Sequence, residues 1–170
     1  PGFVFFAGTS AFLYGKKIND VGVLRRYLLT RGLLLVILEL TLIRFSWTFN
    51  FNYSEFTLAG VIWMLGWCMV LMSLFVAMRP KVVGITGLLI IFLQQLLFLV
   101  TRTFPESWQS VVGGFWEFIY ISGNEPLFGI NVLYVIVPWI GVMMAGYGFG
   151  SLLLQESEKR DKLCLRIGLS

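Results

Sequence analysis

Two neighbouring stretches, Leu58–Met78 and Val82–Thr101, contain no charged residue at all. Each is about 20 residues long, the length that carries an α-helix across ~30 Å of hydrocarbon. Neither alternates apolar and polar positions, as the ~10-residue strands of a membrane barrel must. Three further apolar stretches flank them: Phe3–Tyr14, Leu28–Phe49 and Leu127–Leu154. Hydrophobic residues make up 58% of the chain, charged residues only 13%, and mean hydropathy is +0.83. A soluble domain of 170 residues could not cover so much apolar surface, whereas lipid can. The expected fold is all-α: a multi-pass transmembrane helix bundle of about five spans. Residues 1–154 form the transmembrane domain, and 155–170 a cytoplasmic tail or the start of a further segment.

The charges orient this bundle. Lys16, Lys17, Arg25, Arg26 and Arg31 fall between the first and second stretches, Arg79 and Lys81 between the third and fourth, and Lys159, Arg160, Lys162 and Arg166 after the fifth. With alternating crossings, 11 of the 13 basic residues share one face. Short basic loops stay cytoplasmic, which puts residue 1 outside and the C-terminus inside. The net charge of +4 is thus an orientation signal with anionic-lipid contact, not a nucleic-acid footprint. Glu55, Glu106, Glu117 and Glu125 lie on the opposite side. Pro1 reads as a cut point in a chain expected to extend upstream, because an apolar run begins at once without the basic start of a signal peptide.

The chain has no His. Within it, no His-ligated haem or zinc and no Ser-His or Cys-His dyad can form. Its two cysteines, Cys68 in an apolar run and Cys164 in the polar tail, suit neither a disulfide nor a metal site. No metal is expected.

The outer segment Arg102–Gly129 carries Trp108, Phe115, Trp116, Phe118 and Tyr120, a density that suits the membrane–water interface. A short amphipathic or re-entrant helix before the Gly123-Asn124-Glu125-Pro126 turn is expected, either as an anchor or as a lid. Gly146 and Gly150 have the four-residue spacing that lets membrane helices approach closely. Pro138 is expected to kink the fifth span.

Charged groups inside a span need a reason. Glu39 lies ~16 Å along the helix from Leu28, near the expected bilayer middle. It must be neutral, paired or facing a polar cavity. Arg44 follows five residues on, about 140° around an α-helix, so the two are not expected to share a face. Arg44 is expected to lie near Trp47 and snorkel outward. Asn50, Gln95 and Arg102 gather at the same extracytoplasmic half as polar lining, suited to a sugar or to an ordinary interfacial belt.

Four stretches resemble a known family, in its order: Pro1–Ser10 (PGFVFFAGTS), Tyr27–Gly32 (YLLTRG) leading to Glu39, Trp47–Phe51 (WTFNF) and Pro138–Tyr147 (PWIGVMMAGY). They are similar to the catalytic domain of heparan-α-glucosaminide N-acetyltransferase in its short bacterial form. The resemblance implies a bacterial cytoplasmic-membrane enzyme that takes acetyl from cytoplasmic acetyl-CoA and delivers it to an extracytoplasmic amino sugar. It also implies a catalytic His in an outer loop upstream of Pro1, after an Asp-x-x-Arg-Gly helix. Bacterial members carry a further His near the position of Tyr120, where this chain departs. On this reading Glu39, Arg44, Asn50, Gln95 and Arg102 line the site. Arg25, Arg26 and Arg31 meet the coenzyme phosphates. The lipid bilayer and a sugar acceptor are the partners, with a homo-oligomer possible. The competing readings are a transporter with a midplane site and a non-catalytic membrane protein whose packing is its role.

Overall fold

The computed structural model describes residues 2–50, 57–101, 130–132, 134–156, 158, 160–162 and 165, with backbone alone at 57–58, 95–101 and 130–132. Its helices are α1 (Gly2–Ile18), α2 (Val21–Leu38), α3 (Arg44–Thr48), α4 (Val61–Phe75), α5 (Pro80–Thr101) and α6 (Ile136–Leu153), with a π-helical turn, Glu39–Ile43, joining α2 to α3. The expected helical class stands. Among the described residues one helix, α6, is long and apolar enough to cross a membrane; the described parts of α4 and α5 are apolar but shorter.

Contacts along the helices fix their directions. Gly15 meets Leu24 across the α1–α2 turn, where Asn19 adopts a left-handed φ of 56° and Asp20 caps α2 through Oδ1, 2.7 Å from the amide of Gly22. Gly32 meets Gly66 and Val70 while Gly66 meets Val36, so α2 and α4 run antiparallel. Gly84 meets Gly148 while Gly87 meets Gly141, so α5 and α6 are antiparallel too. Phe5 meets Gly146 and Phe12 meets Gly150, which makes α1 parallel to α6. The helices therefore alternate up and down along the chain, and the described basic residues outside Arg44 collect at one end.

The helix α6 is the central element, and small residues let its neighbours come close. Gly146 and Gly150 face α1, whereas Gly141 and Gly148, two turns apart, face α5. The expected packing role of the Gly146–Gly150 pair matches this arrangement. Methionines fill the space between helices: Met64, Met72, Met143 and Met144 are all fully buried. Their unbranched chains adapt to an irregular gap that glycine-notched backbones leave. Thr9, also buried, reaches across from α1: its Oγ1 lies 3.0 Å from Gly146 O and 3.2 Å from Phe5 O. Thr9→Val keeps the shape and removes the shared proton. We expect a loss of about 0.6 kcal/mol, the usual worth of such bonds between membrane helices, seen as a small fall in melting temperature in detergent.

Three boundary expectations are corrected. The second apolar stretch begins at Leu28, but α2 begins at Val21, so Arg25, Arg26 and Arg31 stand on a helix rather than in a loop. The third and fifth stretches both start before their helices. Leu58 lies in a three-residue strand, β1 (Thr57–Ala59), and Ile130–Val132 form β2. They pair in parallel, with Leu58 opposite Asn131. This small ladder adds strand to an otherwise helical fold. Its direction follows from the parallel course of α4 and α6, which β1 and β2 precede. Finally, Pro138 occupies the third position of α6. A first-turn amide has no helical acceptor to lose, so Pro138 starts this helix instead of kinking it.

Candidate functional site

The site grows from one irregularity. At Glu39 the ladder of α2 changes register: the Glu39 amide is shared between Leu35 O and Val36 O, and the Arg44 amide donates to Glu39 O, five residues back. A π turn winds at about 4.4 residues per turn instead of 3.6, so residue i+5 returns to within about 50° of residue i. Thr41 Oγ1 donates to Ile37 O at 2.7 Å, a back-bond of the kind that accompanies bends and register changes. The straight-helix expectation that Glu39 and Arg44 face apart does not hold. Both turn inward, at 5% and 4% exposure.

Glu39 stands at the end of the bundle away from the basic loops, level with the start of α4 rather than halfway along the helices. Its carboxylate lies against Gly60, the N-cap of α4: a Cβ built on Gly60 would be 2.5 Å from Oε1. Gly60 is buried there beside Ala59 of β1. Among the described residues, Oε2 is buried and finds no hydrogen-bond partner. A buried carboxylate oxygen without a donor is costly and rare enough to call for a physical reason. The start of α4 carries positive partial charge, and Gly60 holds it beside the Glu39 carboxyl group.

Arg44 does not snorkel. Its Nη1 donates to Asn50 O at 3.1 Å, and Thr48 Oγ1 lies 3.0 Å from Arg44 O and 3.3 Å from Asn50 O. The chain turns back through Phe49 in a left-handed conformation, φ 48°, which brings the Asn50 carbonyl under the guanidinium. Trp47, by contrast, is 76% exposed and faces outward, away from the environment of Arg44. Asn50 is exposed and enters through its backbone oxygen. Gln95 is on α5, its side chain outside the described residues. Arg102, and the aromatic outer segment with its expected short helix, also lie outside them.

At the opposite end Arg25, Arg26 and Arg31 are all exposed. Arg31 lies over the Tyr27 ring, 5.6 Å from its centroid. On a regular helix Arg26 sits about 100° from Arg25, and Arg31 about 140° from Arg26, so the three spread around α2 rather than forming one patch. Lys16 and Lys17, exposed at the end of α1, add to this basic end. No group of three or more metal-ligating side chains occurs among the described residues.

Gly60 was not among the residues singled out from sequence. Its only signal is its place just before the apolar run of α4, and nothing there points to a carboxylate 21 positions earlier. Trp67 was missed for a similar reason. It packs edge-to-face on Trp63, with ring centroids 6.4 Å apart, and its Nε1 is the other described buried polar atom without a partner.

The sequence profile of a family described as heparan-alpha-glucosaminide N-acetyltransferase, catalytic, matches residues 1–167. No curated protein and no solved structure matches the chain.

Proposed function

The chain belongs to the heparan-α-glucosaminide N-acetyltransferase catalytic family, and from that premise we propose that it works in the membrane, moving acetyl from cytoplasmic acetyl-CoA to an amino sugar on the far side. The family match over nearly the whole chain carries the reaction class. On this reading the inward-turned Glu39–Arg44 segment lies at the acceptor end. Membrane embedding, with about five crossings over residues 1–154 and a cytoplasmic tail at 155–170, is supported by large apolar side chains that face outward: Phe3, Phe6, Ile37, Leu42, Ile85 and Phe92 are all more than half exposed. Lipid is the solvent in which such a surface is favourable. The positive-inside rule then places the basic end in the cytoplasm.

Acyl transfer from a thioester to an amine needs a bound donor, an oriented acceptor and a proton acceptor. Since the chain contains no His, its own share lies in binding and orientation. Arg44, fixed through Asn50 O, and the Glu39 carboxylate supply charged lining, with Gln95 and Arg102 as further polar groups from α5 and the segment after it. Exposed guanidiniums suit the coenzyme phosphates through paired N–H donors. Because they point around α2, each is expected to add separately. Arg25→Gln, Arg26→Gln and Arg31→Gln should each raise the KM for acetyl-CoA about tenfold, the size of one lost charge-assisted contact of ~1.4 kcal/mol, and leave the acceptor KM unchanged.

The decisive experiment uses the complete native protein in sealed vesicles, with radiolabelled acetyl-CoA on the cytoplasmic side and glucosamine in the lumen. Label appearing on lumenal glucosamine supports the reading. Its absence, with the protein folded and oriented, would remove it.

A further inference from the structure

Resting on the acyl-transfer reading, we propose that the free Oε2 of Glu39 is the docking point for the protonated amino group of the acceptor. The case begins with what the structure leaves unbalanced. Glu39 is 95% buried, inside a helix that breaks its own ladder to turn this residue inward, and Oε2 has no donor among the described residues. A carboxylate accepts hydrogen bonds and gives none. Whatever completes it must therefore bring N–H or O–H donors, and a positive charge would balance it best.

Three observations narrow the class. First, the described residues gather no second and third metal-ligating side chain around Glu39, and a hard cation asks for about six oxygens. An organic ammonium, content with one carboxylate and a few further acceptors, fits better. Second, Oε1 lies on the α4 side, against Gly60 at the positive end of a 15-residue helix. Oε2 is the buried oxygen without a donor among the described residues, and a donor group reaching it would complete the carboxylate. Third, the family's acceptor is an amino sugar, whose amino group is mostly an ammonium at neutral pH. Arg44 sits on the same re-phased turn and is held by Asn50 O. Its like charge stands five residues from the carboxylate, so the acceptor ammonium is steered to Glu39 rather than along the whole turn. No covalent change occurs at Glu39. The group binds and orients the protonated acceptor; the ammonium gives up a proton to the general base the reaction requires before its free nitrogen attacks the thioester and displaces the coenzyme thiol.

Labelling of the wild-type protein gives a test independent of turnover. Dicyclohexylcarbodiimide reacts with protonated carboxyl groups in apolar surroundings, so vesicles are labelled at mildly acidic pH, where a fraction of the Glu39 carboxyl without a bound ammonium is protonated, and mass spectrometry reads the adduct on Glu39. We expect Glu39 to be labelled in native vesicles, and saturating glucosamine to lower that labelling at least tenfold, with glucose having no effect. Equal labelling with and without glucosamine, equal protection by glucose, or no label on Glu39 at all would each overturn the proposal. Kinetics supply the second arm. Glu39→Gln should raise the KM for glucosamine at least 100-fold and leave that for acetyl-CoA within twofold. Gly60→Ala, which keeps the carboxylate but puts a methyl where Oε1 now rests, should raise the glucosamine KM about tenfold. Unchanged glucosamine KM in Glu39→Gln would also sink the proposal. If the wild type transfers no acetyl, the proposed reaction falls, whereas the labelling result still decides whether Glu39 takes an amine.

Discussion

Gly146→Val should leave little folded protein. A Cβ at Gly146 runs into the backbone carbonyl of Phe5, and one at Gly8 runs into the carbonyl of Met143. In both cases the obstacle is main chain, which cannot rotate aside as the end of a side chain can. Relief requires α1 and α6 to separate, and separation undoes the contacts of Val4, Phe12, Met143 and Tyr147, all buried. Overpacking in a tight core costs about 1–3 kcal/mol when side chains can yield. Here we expect the upper end of that range or beyond. Gly8→Val should behave alike. Gly2→Ala serves as control, because a Cβ there meets only the edge of Phe6 at 3.9 Å. The readout is the monodisperse fraction after detergent extraction and the melting temperature. Normal extraction and melting of Gly146→Val would show that α1 does not pack on α6 as described.

Arg44→Ala should be the most damaging change on the α2–α3 segment. The guanidinium is 4% exposed and donates to Asn50 O at 3.1 Å. A hydrogen bond from a charged donor contributes about 1.5–3 kcal/mol, and truncating so long a buried side chain also opens a cavity. Thr48 Oγ1 remains near Asn50 O at 3.3 Å and accepts from the Asn50 amide at 3.4 Å, so the turn keeps links of its own. We therefore expect a loss of about 3 kcal/mol rather than unfolding. Arg44→Lys keeps the charge and gives up the planar fork, and should fall between wild type and Ala in melting temperature. If Ala and Lys melt alike and below wild type, the fork matters more than the charge. If Ala melts with wild type, Arg44 contributes nothing to the turn.

Much of the fold is legible along the chain because it is written in local terms. The uncharged runs that become α4 and α5 declare themselves through length and hydropathy. The basic residues Lys16, Lys17, Arg79, Lys81, Arg160 and Lys162 declare which helix ends lie together. The four-residue spacing of Gly146 and Gly150 declares a close helix approach, and both do meet α1. The starts of elements are less legible. Asp20 caps α2 eight residues before the apolar run begins, since a cap acts on backbone amides and is indifferent to hydropathy. The strands β1 and β2 are three residues each and 73 positions apart, counted from Thr57 to Ile130. No periodicity can reveal a ladder that short.

The candidate site divides in the same way. The sequence by itself determined that Glu39 and Arg44 would be exceptional, because a charge in an apolar run always costs free energy. It also determined the family, through stretches spread over the chain. Only the tertiary structure decided that the two residues turn inward together. A register of i→i+4 or i→i+5 differs by little in local energy, and a single inserted residue in the turn shifts everything after it. The packing around Glu39–Ile43 settles that choice: α4 approaches closely enough for Gly60 to meet the Glu39 carboxylate, and the chain folds back through Phe49 so that Asn50 O meets Arg44. Both contacts come from residues brought in by the turn after α3 or the start of α4. They exist only once those parts of the chain have docked, which is why no reading of residues 39–44 alone could have found them.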